Sequence, residues 1–234
     1  MSVFKSIYGL GFALMLVGLV FPPILRGGQV VTTMGEGSDV FYFRLLLSKR
    51  GCQLAIWLTD EKGTFVNTVY VTPYVVKKGL GNRKGALDDK WGGPRLSVLP
   101  VWAHSRGVDY GGGNFYPPKD KPLPDALTSA TPNAGEFIWR WKPEKSLPDG
   151  KYFFYVEVNK SFDKNDHHNY SWYRGQPSVV WQGSLVIGTQ VSRGEAQIIG
   201  HGHPAGVDGR TERDLSTLTT ALKLIEGIEV VYRP

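Results

Sequence analysis

The sequence is poor in the residue patterns that carry enzyme chemistry. It has one cysteine, Cys52, so no intrachain disulfide can form. It has no Gly-x-Ser-x-Gly nucleophile motif, no His-Glu-x-x-His zinc motif, no phosphate-binding loop and no dinucleotide-binding loop between a strand and a helix. We therefore expect a protein that is not an enzyme. Because Cys52 opens a strongly apolar stretch, we predict a buried, unreactive thiol.

The sequence also lacks a concentrated charge of either sign. The 27 Lys and Arg outnumber the 21 Asp and Glu, which gives a net charge of +6. These basic residues are scattered along the chain, whereas a nucleic-acid surface requires a basic stripe or a basic helix. We therefore expect no nucleic acid among the partners.

An apolar segment stands at the N-terminus. Lys5 precedes an uncharged run from Ile7 to Phe21, and two prolines follow it and end any helix. The run is shorter than the roughly 20 residues that span a bilayer comfortably. Residues 1–26 are therefore predicted to form an apolar helix that is either a cleaved signal peptide or an inner-membrane anchor, with a linker at 27–39. We expect the body to be periplasmic or otherwise extracytoplasmic.

The body shows the pattern of short strands and frequent turns. The chain has 29 Gly and 15 Pro, and its apolar residues alternate with a period of two. In the stretch 52–59, for example, Leu54 and Ile56 face one side and Trp57 the other. Strands are predicted at 40–47, 52–59, 64–72, 137–141, 151–159, 178–188 and 196–199. This pattern favours a mainly β, antiparallel, immunoglobulin-like β-sandwich over residues 40–190.

The C-terminal part, residues 191–234, is predicted to be an extension of a different kind. Residues 211–214, Thr-Glu-Arg-Asp, are similar to a helix capping box. Apolar residues then follow at helical spacing, at Leu215, Leu218, Leu222 and Ile225. We predict one C-terminal helix, capped by Gly227, and a closing strand at 228–232.

Three stretches resemble a known family. They read LAIWLTDEKGTFVNT at 54–68, PDALTSATPNAGEF at 124–137 and LPDGKYFFYVE at 147–157. Their order and spacing resemble the bacterial periplasmic family "domain of unknown function 2271", over roughly residues 50–190. The turn before the strand at 151–159 also resembles the immunoglobulin-like domains of flagellar hook-capping proteins. The resemblance implies a β-sandwich and assigns no catalytic residues, and it leaves the glycine-rich loop 105–124 and the tail after residue 190 unexplained.

Two polar clusters are candidate metal sites. His201 and His203 stand two residues apart and share a face of an extended segment, as a chelate requires. A third ligand is to be sought in His167, His168, His104 or a carboxylate such as Asp208. The second cluster is the polar segment that contains both carboxylates and imidazoles, namely Asp163, Asp166, His167 and His168. The alternative for that segment is a solvated loop. The function that these clusters would indicate is a periplasmic protein that binds a transition metal or haem.

The remaining candidate site is a surface for a partner or ligand. It combines an aromatic group, Tyr170, Trp172 and Tyr173, with the hydroxyl-rich loop that contains Asp125 and Thr128. A tight structural corner is the alternative for that loop. We expect a non-catalytic binding or structural protein of the bacterial cell envelope, whose partner is another envelope protein or a glycan.

Overall fold

The computed structural model describes residues 29–32, 38–49, 51–76, 95–118, 120–123, 131–169 and 175–234. The predicted N-terminal helix at 1–26 lies outside these residues. Within them, no helix has the length and apolar character needed to cross a membrane. The strands are β1 Gln29–Thr32, β2 Val40–Leu47, β3 Gln53–Asp60, β4 Phe65–Val71, β5 Gly135–Trp141, β6 Gly150–Asn159, β7 Val179–Ile187, β8 Ser192–Glu195, β9 Gln197–Gly202, β10 Thr211–Glu212 and β11 Ile225–Arg233. The helices are α1 Pro73–Val76, α2 Pro100–Ser105 and a 3-10 helix at Thr220–Lys223.

The strands form two sheets that pack as a sandwich, which confirms the predicted mainly β architecture. The first sheet has the order β1-β5-β2-β11-β8, and the second has the order β10-β9-β7-β6-β3-β4. Neighbouring strands are antiparallel, except that β1 runs parallel to β5. The strands predicted between residues 40 and 199 all correspond to observed strands.

Alternation of apolar residues builds the core between the sheets. On β2, Phe41, Phe43 and Leu45 are fully buried, while the residues between them are partly exposed. The inner residues of β6 interlock with them, and the Phe43 and Phe154 rings meet edge to face with centroids 6.3 Å apart. Cys52 belongs to this core, so its predicted burial is confirmed. Burial raises the pKa of its thiol, which keeps it unreactive.

Close contacts join the two sheets at both sides of the sandwich. At one side the Trp139 indole Nε1 of β5 donates a hydrogen bond of 3.0 Å to the Val69 carbonyl oxygen of β4. At the other side β7 and β8 approach so closely that a Cβ added to Gly183 would lie 2.5 Å from the Glu195 carbonyl oxygen. Close contacts therefore link the two sheets across the core, in addition to the hydrogen bonds within each sheet.

A second layer covers the outer face of the second sheet. Residues 95–118, including α2, pack there in a separate apolar cluster with Ala55 and Trp57 of β3. The Trp57 ring stacks on Tyr155 of β6 with centroids 5.0 Å apart. This layer explains why β3 is buried on both faces. Most of the predicted loop 105–124 is irregular, but its Tyr116 is 1% exposed and anchors it in the layer. We call residues 95–118 the outer layer.

The predicted C-terminal helix is wrong. Residues 211–224 form the short strand β10, turns and one 3-10 helix, and β11 follows at once. The leucines at helical spacing are buried by packing of these turns on the core, as Leu218 shows at 5% exposure. Gly227 lies at a bulge in β11 and caps no helix. The closing strand is confirmed, and because β11 lies between β2 and β8, the sandwich continues past residue 190.

The cross-sheet hydrogen bond of Trp139 gives the first testable prediction. Trp139→Phe leaves the buried Val69 carbonyl without a donor, which we expect to lower the free energy of unfolding by about 1–3 kcal/mol more than Trp141→Phe. Trp141 is a suitable control because it is 3% exposed on the same strand and makes a ring contact with Phe41. Urea unfolding followed by circular dichroism measures both. Equal losses would show that the hydrogen bond contributes nothing.

Candidate functional site

The predicted partner surface lies outside the described residues. Neither the aromatic group Tyr170, Trp172 and Tyr173 nor the loop residues Asp125 and Thr128 is among them. These assignments stay predictions. The candidate metal ligands, by contrast, are all among the described residues.

Asp163 serves as a structural anchor. Its carboxylate accepts hydrogen bonds from Thr220 Oγ1 at 2.7 Å and from Gln176 Nε2 at 3.3 Å. Gln176 in turn accepts one from the Thr219 amide at 2.6 Å. Lys49 Nζ lies 3.8 Å from the same carboxylate. The oxygens of Asp163 are thus used to join the segment 160–169 to the turns before β11.

His168 belongs to the same junction. Its Nε2 is 3.0 Å from Thr217 Oγ1, and its backbone amide donates to Asn165 Oδ1 at 2.8 Å. Burial lowers the pKa of His168, and the nearby imidazoles of His201 and His167 lower it further. One histidine of each cluster, His168 and His201, is therefore within range of an electrostatic interaction. Asp166 and His167 are exposed.

His201 and His203 do not form a chelate. His201 Nδ1 is 2.8 Å from the Gly202 carbonyl oxygen, and its Nε2 is 3.8 Å from Glu212 Oε2. His203 lies beyond the end of β9, and its Nδ1 accepts the Ala205 amide at 3.1 Å. Throughout the described residues, no three His, Cys, Asp or Glu side chains are grouped so that they could hold a metal ion. The metal or haem hypothesis therefore gains no support from the fold.

A cleft that the sequence did not indicate lies where β11 bulges beside the crossing from β8 to β9. Its volume is about 430 Å³. The buried side chains of Trp181, Ala196 and Ile228 line its inner part, and Leu46, 39% exposed, lines its outer part. The bulge at Gly227 and the chain's passage between the sheets at Ala196 leave this gap in the packing. The cleft is therefore a product of sheet geometry and not of a loop.

Carboxylates surround the mouth of the cleft. Glu195, Glu226 and Glu229 line it together with Arg44. Arg44 is already paired, since its Nε is 2.5 Å from Glu136 Oε1 and its Nη1 is 3.6 Å from Glu229 Oε2. Glu195 and Glu226 are exposed and form no ion pair with any described residue. The mouth is thus locally negative on a chain whose net charge is +6.

Sequence reasoning missed the cleft for a simple reason. Its side chains come from β2, β7, β8, the β8–β9 crossing and β11, and no two of the charged ones form a recognisable motif. The only local signal was Gly227, and its place after apolar residues at helical spacing predicted a helix cap instead. This glycine lies in a bulge because of the way β11 pairs with β2, and a single sequence does not show that pairing.

Comparison with known proteins adds nothing to this geometry. No protein-family model matches the sequence, and neither a curated protein nor a solved structure matches it significantly. The resemblance to the family of unknown function therefore stays a prediction. The cleft and the polar junction must be interpreted from their own contacts.

The polar junction around Gln176 can be tested by mutation. Gln176→Leu removes the acceptor of the Thr219 amide and a donor to Asp163 and Thr220. We expect it to lower the free energy of unfolding by about 2–4 kcal/mol, because buried polar groups then lose their partners. Gln182→Leu is the control, since the Gln182 side chain donates a single hydrogen bond, to the Tyr155 hydroxyl. Thermal unfolding measures the stability of both variants. A Gln176→Leu protein as stable as the Gln182→Leu control would contradict a structural role for Gln176.

Proposed function

We propose that this chain is a non-catalytic, extracytoplasmic binding protein of the bacterial cell envelope, and that the cleft beside the β11 bulge is its binding site. The observation that carries this proposal is an open cleft of about 430 Å³ with buried apolar side chains at its inner end and carboxylates at its mouth. Ligand sites are typically concave and combine apolar side chains with placed polar groups that select the ligand. This cleft combines both kinds of side chain, and four of its nine lining residues are charged.

The ligand we propose is a basic side chain, lysine or arginine, of an envelope protein. Glu195 and Glu226 have no cation of their own among the described residues, so a ligand that supplies one gains two partners. The apolar stem of such a side chain fits against Leu46 and Ile228. A glycan fits less well, because the Trp181 ring is 9% exposed and offers little surface for a sugar to stack on.

The cell-envelope location rests on the N-terminal segment. Fifteen uncharged, mostly apolar residues from Ile7 to Phe21 follow Lys5, as in export signals and short anchors. We retain both alternatives, a cleaved signal peptide and an inner-membrane anchor. In either form the sandwich would lie on the far side of the inner membrane.

An immunoglobulin-like fold is part of the proposal. The neighbours β4-β3-β6-β7 follow the order C′-C-F-G of an immunoglobulin sheet, and β2 with β5 takes the place of strands B and E. The Tyr152 hydroxyl at the start of β6 donates to the Pro148 carbonyl oxygen at 2.9 Å, in the manner of a tyrosine corner. In this interpretation β11 occupies the position of strand A. These features agree with the resemblance to the periplasmic family and to hook-capping domains, although a fold alone assigns no function.

The proposed ligand can be tested with two probes, a lysine peptide and a chitin oligosaccharide, and with two double variants of the protein. We expect the full chain in mild detergent to bind a lysine tetrapeptide, with an affinity that falls as salt rises. Glu195→Gln with Glu226→Gln should weaken binding about fivefold or more, since each exposed ion pair contributes a few tenths to about 1 kcal/mol. Titration calorimetry measures this. The matched control is Glu61→Gln with Glu144→Gln, two exposed carboxylates outside the cleft.

The outcomes separate the alternatives. Unchanged affinity in the cleft variant, or an equal loss in the control, would locate binding elsewhere. Binding of chitotetraose without binding of the peptide would replace the basic ligand by a glycan.

The location is testable by fractionation. The full chain, expressed in a Gram-negative host, should appear in the membrane or periplasmic fraction, because the apolar segment directs export. Deletion of residues 1–26 should move the protein to the cytosol. Recovery of the intact chain in the cytosol would contradict the proposed location.

A further inference from the structure

A buried carboxylate lies at the interface between the outer layer and the second sheet. Glu157 is on the outer face of β6 and is 0% exposed. It sits beneath the start of α2, and its neighbour across the sheet on β3 is Ala55. Charged residues are seldom fully buried unless they are paired. Glu157 has no described cation within ion-pair distance, so the fold must hold it in another way.

Three hydrogen-bond donors converge on the Glu157 carboxylate. The Trp102 amide donates to Oε2 at 2.8 Å, the Val101 amide to Oε1 at 3.3 Å, and the Ser178 hydroxyl to Oε1 at 2.6 Å. Two of these donors belong to the outer layer and one to the sheet. The carboxylate therefore joins the two parts. Separation of the layer from the sheet must break the two hydrogen bonds that the backbone amides of Val101 and Trp102 donate to it.

The surroundings of Glu157 are closely packed. A Cβ added to Gly202 of β9 would lie 2.6 Å from Pro100 Cγ and 3.2 Å from Glu157 Oε1. With so little space, the carboxylate depends on protein groups alone for solvation. Complete burial disfavours the charged form, whereas the three donors favour it.

The titratable groups nearest to this interface do not neutralise Glu157. The outer layer contributes Tyr116, Arg95 and His104. The titratable residue of β9 is His201, and the neutral Ser178, which contacts Glu157, directly precedes β7. Tyr116 donates its hydroxyl to Leu96 O, His104 bonds Pro100 O, and Arg95 reaches Ser161. Burial raises the pKa of Tyr116, so it stays neutral.

We propose that Glu157 is a pH-sensitive lock on the outer layer: closure of the layer over the sheet takes up a proton, so that the layer is held more tightly in mildly acidic surroundings than at neutral pH. Opening would expose a sheet face that carries the stacked Trp57 and Tyr155 rings. That face is apolar and aromatic, and the lock thus controls access to it.

The direction follows from the two states of the carboxyl group. Burial raises the pKa of Glu157 to about 7 in the closed layer, against the donors that lower it. In the open layer the group meets water, where its pKa is about 4.3. The closed state therefore binds the extra proton between these two values. The equilibrium constant for closing of the layer is constant below the lower pKa and falls by up to tenfold per pH unit between the two pKa values. It levels off above about pH 7.

Hydrogen exchange of the full chain tests the lock. After correction for the intrinsic pH dependence of exchange, the protection of the Trp102 and Ala103 amides should fall about fortyfold from pH 5 to pH 7. Amides of β2 serve as the internal reference, since they report opening of the whole sandwich. In Glu157→Gln, which cannot titrate, the protection of the outer layer should no longer depend on pH.

Two further variants keep the test decisive. Glu144→Gln, an exposed carboxylate, should leave the wild-type profile unchanged. Ser178→Ala removes a donor but keeps the carboxyl group, so the pH-dependent range should extend to higher pH; it also serves if Glu157→Gln does not fold. A flat wild-type profile, a pH dependence that survives Glu157→Gln, or an equal change in the β2 amides would overturn the lock.

Discussion

The pairing of β11 with two neighbours at once is the constraint on which the rest of the structure depends. This strand hydrogen-bonds to β2 along most of its length and to β8 on its other side. Without it, β8 would be detached from the first sheet, and Ile228, Val230 and Tyr232 would leave the core. The bulge at Gly227, which opens the cleft, exists because β11 must keep register with β2 on both sides of that residue.

The two sheets use their outer faces in different ways. The first sheet carries ion pairs across its strands, in which Arg44 contacts Glu136 and Glu229, and the cleft opens beside them. The second sheet is covered by the outer layer and has a buried carboxylate beneath it. One face thus carries charged residues beside a cleft, and the other carries aromatic residues beneath the outer layer. The proposed binding role and the proposed response to acidity are compatible because they concern separate faces.

The sequence predicted the strands well because alternation is a local signal. Leu54, Ile56 and Leu58 face the core, as their spacing of two indicates, and Cys52 is buried with them. The same logic failed after residue 210, since Leu215, Leu218 and Leu222 satisfy a helical spacing while packing from one turn and a separate 3-10 helix. The sites were harder to predict for a different reason. The Nδ1 atoms of His201 and His203 contact local backbone groups, which spacing along the sequence does not reveal. The cleft is assembled from side chains distant in sequence, which only strand pairing brings together.

The order of the strands along the chain has a consequence for biogenesis. An interior strand of the first sheet, β11, is synthesised after every other strand of the sandwich, so β2 leaves the ribosome long before the strand that will pair with it. Until then β2 presents an open edge that is prone to join another chain. A protein exported while unfolded would avoid this hazard, because its sheets would assemble only once the entire sandwich had crossed. Chaperones that keep the nascent chain extended would therefore matter more here than for a sandwich closed by early strands.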